Sequence, residues 1–334
     1  MSPGWRLAHA LRAPETALGF RPAEWTELFA VARAEQMAGT LAHRLNGLAL
    51  PAQVQRLVDD AIASAGQVRL AALWEAEMAR RALAPLGVPV VLLKGTAFAA
   101  AGLAPSVGRN IGDLDILVPR ERLDAVEAAL IAAGWEWVKP DPYDDAYYRR
   151  WMHELPPLIH RERDRMIDVH HTILPRTAKI RPDPLALLRD AEPLENGLCI
   201  LSAPDRLVHA VAHLLADGDL AGGMRNLWDI HCLLASEVPA GLTDRARHHG
   251  LEAEMARALR LSRALYGTPV EAGRLTLVDR LYLRRLTARD GWGRQTRKLL
   301  RQAFYLRSHW LRMPPAMLAR HLWTKYRKGH RPLG

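Results

Sequence analysis

Only two cysteines, Cys199 and Cys232, occur in 334 residues. Two isolated thiols build neither a cysteine-rich zinc site nor a disulfide framework, and they point to a reducing, cytoplasmic home. Aromatic residues are scarce, at 6%. Leu, Ala and Arg are plentiful, so helix should dominate. The opening stretch MSPGWRLAHALRAPE lacks the continuous apolar core of a signal peptide. No uncharged apolar run reaches the ~20 residues that span a bilayer. The patterns G-x-S-x-G, Walker A, G-x-G-x-x-G and H-E-x-x-H are all missing, and neither cysteine sits in a nucleophile motif. Acids, finally, are absent from one end. Residues 291–334 contain eleven Lys or Arg and no Asp or Glu. Of 46 basic residues, 35 then remain to face 36 acids, so the tail carries the whole net charge of +10.

What is present reads as an ordinary globular chain, 49% hydrophobic and 25% charged, long enough for two or three domains. Residues 22–46 start at Pro22 and run with helical spacing, and residues 51–84 repeat the pattern from Pro51. They predict an N-terminal helical region over 1–85. The pattern then changes. Val88 to Leu93 is a short continuous apolar run, read as a buried strand. Ile111 to Val118 predicts a second strand, Arg120 to Ala133 a helix closed by Gly134, and Trp135 to Lys139 a third strand. Arg165 to Ile173 predicts a fourth, with Glu154 to His160 as its partner. These elements make a small α/β unit over 86–175. Helical spacing returns after Pro175. A capping-box-like start at Ser202-Ala-Pro-Asp205 opens a helix over Leu207 to Ala216, another covers Met224 to Leu234, and residues 242–290 hold two or three more. A helical domain over 176–290 and a basic tail over 291–334 complete the layout. The expected class is α+β, a small mixed sheet flanked by N-terminal and C-terminal helical regions.

The chemistry concentrates in RNIGDLDILV, Arg109 to Val118. Side chains alternate along a strand, so Asp113 and Asp115 project to one side while Leu114 and Ile116 enter the core. Two like charges this close cost free energy unless a cation lies between them. Converging carboxylates suit a hard divalent ion such as Mg²⁺ or Mn²⁺. Asp168, outward-facing between Ile167 and Val169, is the best third member. Upstream, Lys94-Gly95-Thr96 follows the first apolar strand. A glycine at a strand-to-helix turn lets backbone N–H groups approach phosphate, and Lys94 or Arg109 can neutralise a triphosphate.

Together LLKG, GR…DLDILV, IDVHH, APDRLVHAVAHLL and MRNLWDIHCLL resemble the DNA polymerase β-like nucleotidyltransferases, and most closely their uncharacterised bacterial nucleotidyltransferase group. The resemblance runs from about Leu86 to Leu251. It implies that Asp113, Asp115 and Asp168 bind metal, that Gly95 and Thr96 contact nucleotide phosphate, and that the later helices wall the cleft with His209, His213, Arg225 and Asp229. Gly95-Thr96 matches the superfamily's Gly-Ser motif loosely, and the spacing from Thr96 to Asp113 is longer than in many members. The implied activity moves an NMP from an NTP to a hydroxyl acceptor on a peptide, protein or sugar. A non-catalytic nucleotide- or partner-binding protein, and a toxin–antitoxin component acting on RNA, are the alternatives.

Structural readings compete residue by residue. Lys94 is equally a solvated strand end, and Arg109 an ion-pair partner of Asp113. His170 and His171 fit strand histidines with backbone partners, and His209 and His213 core histidines with no third zinc ligand. Arg225 and Asp229, four apart, read as a helix-surface pair. The tail interleaves basic residues with Phe304, Tyr305, Trp310, Trp323 and Tyr326, and Pro314-Pro315 interrupts it. It is a helix packed on the body, a peripheral contact to an anionic membrane, or an RNA contact.

Overall fold

The computed structural model describes residues 1–139, 141–312, 314 and 323. It opens with helices α1 (Pro3–Arg12), α2 (Pro22–Ala34), α3 (Ala38–Leu45) and the 32-residue α4 (Ala52–Leu83). The single helix expected over 22–46 is two helices. The chain breaks at Gln36, whose φ of +56° no helix accommodates, and the break turns Met37 fully inward.

A seven-stranded mixed sheet follows, in the order β3-β4-β5-β2-β1-β7-β6. The apolar run VPVVLL yields only β1 (Val91–Leu92), because the chain turns at Lys94 into α5 (Lys94–Ala100). β2 (Leu114–Leu117) pairs antiparallel with β1. The crossover helix α6 (Leu123–Ala132) leads through Gly134, at φ +104°, to β3 (Trp135–Trp137). Helix α7 (Pro142–Trp151) then precedes β4 (Leu158–His160) and β5 (Met166–His170), and β5 lies parallel to β2. After α8 (Pro184–Arg189), the short strands β6 (Glu192–Pro193) and β7 (Cys199–Ile200) extend the sheet beyond β1, an edge that apolar patterning did not announce.

The remainder is helical: α9 (Ala203–Val211), a π-helical turn over Ala212–Asp217, α10 (Gly223–Ser236), α11 (Leu242–His248), α12 (Glu252–Tyr266), α13 (Leu277–Leu286) and α14 (Lys298–Arg312). The architecture is α+β.

Two apolar clusters hold it together. One packs Leu83 of α4 and Val126 and Leu130 of α6 against Leu92, Ile116, Ile167 and Val169 of the sheet. The larger joins the first helices to the last ones: Leu7, Leu11 and Leu41 share a core with Met224, Leu227, Leu261 and Tyr266. Burial of this size is the main stabilising term. Helix α14 docks through Phe304, edge-on to Tyr282 with ring centroids 4.8 Å apart, and through Arg307, which donates to the Leu215 carbonyl at 2.6 Å. Its other face leaves Leu299, Leu306 and Trp310 exposed. Pro315, Tyr326 and most of the tail past Arg312 lie outside the described residues. Among the described residues, no helix is long and apolar enough to cross a membrane.

Candidate active site

Register places the acids. Asp115 of β2 stands opposite Asp168 of β5 in the parallel ladder, so both side chains leave the same face of the sheet. Asp113, exposed, lies just before β2. One oxygen from each of Asp113, Asp115 and Asp168 falls within 4.8 Å of the others.

Lys94 completes the group. Its φ of +48° is costly for a residue with a side chain, and it turns the chain abruptly from β1 into α5. The turn delivers Nζ to Asp115, donating to Oδ1 at 2.6 Å. His170, two residues after Asp168, donates from Nε2 to the same oxygen at 3.0 Å. Asp115 is 3% exposed. Burial pushes its carboxyl up, but Lys94 and His170 outweigh burial and hold it well below the usual carboxylate range. Asp168 goes the other way. Burial first, then the charges of Asp115 and Glu154, push it up to about 7. All donors of the trio are carboxylate oxygens, one of them already burdened by its neighbours' charge. Such a set fits a hard divalent cation, which would relieve the repulsion that Lys94 leaves.

The facing wall comes from the helices. Lys94, Phe98, Arg109, His209, Ala210, His213, Asn226 and Asp229 line one narrow cleft beside the acids. Burial, with Lys94 adding to it, holds His209 well below the usual imidazole range, and burial lowers His213 to about 4. Both are therefore neutral near pH 7. His213 sits in the π-helical turn, an irregularity often found at functional sites.

Arg109 does not pair with Asp113. Its guanidinium forms an ion pair with Asp229, 120 residues away. Arg225 binds the same carboxylate through Nε at 3.0 Å, and also donates to Thr40 Oγ1 at 2.6 Å and to the Pro105 carbonyl at 3.1 Å. The helix-surface reading of Arg225 and Asp229 is thereby corrected: each is 4% exposed, because this network ties α10 to α3 and to the loop before β2. Gly95 serves this arrangement as well. A Cβ there would lie 2.6 Å from Arg109 Nε, so its missing side chain makes room for the arginine. Thr96 is 1% exposed, and its hydroxyl has no hydrogen-bond partner among the described residues. Phe98, Asn226 and the pair His153 and Glu154 were not singled out from the sequence. Only the tripeptide HEL, after an amphipathic stretch, could have drawn attention to the last two.

A family model described as uncharacterised nucleotidyltransferase matches residues 21–267. The chain belongs to this family. Comparison with curated proteins gives no match. In this nucleotidyltransferase the match begins at residue 21, well before the resemblance first visible near Leu86, and ends at residue 267. It therefore includes the N-terminal helices that contribute Thr40 to the Arg225 network. The family and the acidic cluster together support a transferase of nucleotidyl groups.

Proposed function

We propose that the protein is a Mg²⁺-dependent nucleotidyltransferase that moves a nucleoside monophosphate from an NTP to a hydroxyl on a peptide, protein or sugar. The convergence of the Asp113, Asp115 and Asp168 oxygens carries the reading. Asp113 and Asp115 would hold the ions, and Asp168 would serve the acceptor side. When bound, the divalent ions neutralise phosphate charge and activate the acceptor oxygen. The acceptor oxygen attacks the α-phosphorus, the new P–O bond forms as the bond to the β-phosphate oxygen breaks, the hydroxyl proton passes to water, and pyrophosphate departs. Lys94 and Arg109 supply fixed positive charge at the phosphates, with Gly95 and Thr96 at the turn between strand and helix. His209, His213 and Asp229 line the nucleotide's side of the cleft, and Arg225 positions Asp229. Catalysis rests on positioning and charge complementarity.

One observation favours a second reading, a protein that holds nucleotide without turnover: the Lys94 amine already occupies Asp115 Oδ1. Incubation with α-labelled NTPs, Mg²⁺ and cell extract separates the two. Transfer of label to protein, sugar or peptide, abolished in Asp113→Ala and Asp115→Ala with the fold intact by circular dichroism, supports catalysis. Label on RNA instead supports the toxin-like alternative. Nucleotide binding with no transfer to any acceptor overturns the enzymatic reading.

The exposed Leu299, Leu306 and Trp310 beside the basic residues of α14 also support a peripheral contact with an anionic surface, lipid or RNA. Salt-sensitive flotation with anionic vesicles, or gel shift of RNA, tests it.

A further inference from the structure

Behind the acidic trio lies a second cluster of different chemistry. The chain bends at Met152 and His153 and then meets β5: Glu154 forms an antiparallel bridge with His170, His171 N–H donates to the His153 carbonyl at 2.9 Å, and Leu155 N–H to the Val169 carbonyl at 2.9 Å. These backbone contacts bring His153, Glu154 and His170 together, one ligand atom from each lying within 4.8 Å of the others.

Hydrogen positions follow from acceptor chemistry. The Asp115 carboxylate can only accept, so His170 Nε2 carries the hydrogen between them. In a neutral ring Nδ1 is then a bare lone pair. It faces Glu154 Oε2 at 3.5 Å, is buried, and has no hydrogen-bond partner among the described residues. His153 Nε2 also stands 3.5 Å from Glu154 Oε2. The gap is too long for a good hydrogen bond. It does match the ~3.4 Å edge of a tetrahedron whose centre lies ~2.1 Å from each ligand, the spacing around zinc.

We infer that His153, Glu154 and His170 form a second metal site, for a borderline transition ion of the zinc class. Two imidazoles and one carboxylate suit Zn²⁺ or Co²⁺ rather than Mg²⁺, which separates this site from the all-oxygen trio. The outer partner is in place: Asp115 accepts from the far nitrogen of His170, the carboxylate–histidine–metal arrangement that fixes a ligand's tautomer and orientation. Glu154, with 20% of its side chain exposed, is on the path of entry. An ion here would hold His170, and through it the Asp115 carboxylate, in one orientation. His170 is thus a positioning residue for the trio.

The test uses the full chain, stripped by chelator and titrated with Co²⁺ under excess Mg²⁺ that saturates the carboxylate trio. The expected result is one equivalent of Co²⁺ with the intense visible bands of low-coordinate geometry, displaced by Zn²⁺. Glu154→Gln and His153→Ala weaken binding at least tenfold, and Asp113→Asn leaves it unchanged. X-ray absorption of the Zn²⁺-loaded wild type, which needs no variant to fold, shows imidazole scattering. An all-oxygen shell, loss of the Co²⁺ bands in Asp113→Asn, or no Co²⁺ uptake by the wild type overturns the proposal; in the last case a proton on His170 Nδ1 fills the gap. None of these readouts depends on nucleotidyl transfer.

Discussion

Asp115 and Asp168 stand directly opposite each other on neighbouring parallel strands, yet their environments drive them apart. Lys94 and His170 keep the first ionised, while burial and the first one's charge make the second reluctant to ionise. The pair is an anion already compensated and an anion waiting for compensation.

Removing the compensated member has two costs. In Asp115→Asn the amine of Lys94 and the ring of His170 lose their carboxylate in a buried setting. Expected is a loss of about 3 kcal/mol in denaturant unfolding, and transfer reduced by at least about 10²–10³-fold in the labelled-NTP assay.

Removing the waiting member separates stability from function. Asp168→Asn deletes a like charge, so in chelator the metal-free protein should be more stable than wild type, by about 1 kcal/mol or more. Transfer should be lost all the same. A chemical melt in chelator reads the first and the transfer assay the second; a destabilised variant would contradict the repulsion.

Arg225 is expected to behave as a strut. Its guanidinium joins Asp229, Thr40 and the Pro105 carbonyl, three points far apart in the chain. Arg225→Ala should cost about 3 kcal/mol or more. Arg225→Lys should recover little, since an ammonium cannot reproduce the planar fork. Thermal melts of the two variants check this.

Gly108 has φ +64°, and a Cβ on it would run into the backbone of Gly39. Here α3 touches the loop before β2 with no side chain between. Gly108→Ala should destabilise by about 3 kcal/mol and raise the KM for NTP by displacing Arg109 next to it.

A buried histidine, His171, and a half-buried one, His231, contribute to an acid limit. Burial lowers both His171 and His231 to about 4, with the charge of Arg120 adding at the first and Arg44 at the second. In the unfolded chain each titrates near 6.5. Between those values the unfolded state binds more protons, so stability is full above pH ~6.5 and falls as pH drops towards ~4. Each contributes on the order of 1–3 kcal/mol. In Asp168→Asn, which removes the opposing titration of that raised carboxyl, urea midpoints from pH 7.5 to 4.5 should fall, and adding His171→Gln should flatten part of the slope.

The strands that carry chemistry were legible because alternation is local: Leu114, Asp115 and Ile116 state their own faces, as do Ile167, Asp168 and Val169. That the acids would meet required only that the two strands be neighbours. The Arg225–Asp229 pair was legible from its four-residue spacing, but its burial and its links to Arg109, Thr40 and Pro105 were not, because contacts between residues so far apart in the chain leave no periodic trace. The strand-to-helix turn after β1 was legible at Gly95, but the left-handed residue in it is Lys94. Nothing about a lysine announces a left-handed backbone, although it is one of only six lysines in a chain whose other 40 basic residues are arginine. His153 and Glu154 fall in irregular chain between α7 and β4, where no periodicity operates. The edge strands β6 and β7, two residues each, are too short to show any.

The seam between Gly39 and Gly108 has a practical bearing on how this protein can be cut. A recombinant piece starting near residue 86 would keep all three acids and still lack the surface on which the Arg109 loop rests, along with the threonine hydroxyl that anchors Arg225. Dissection for biochemistry has to retain the first fifty residues, remote as they look from the chemistry.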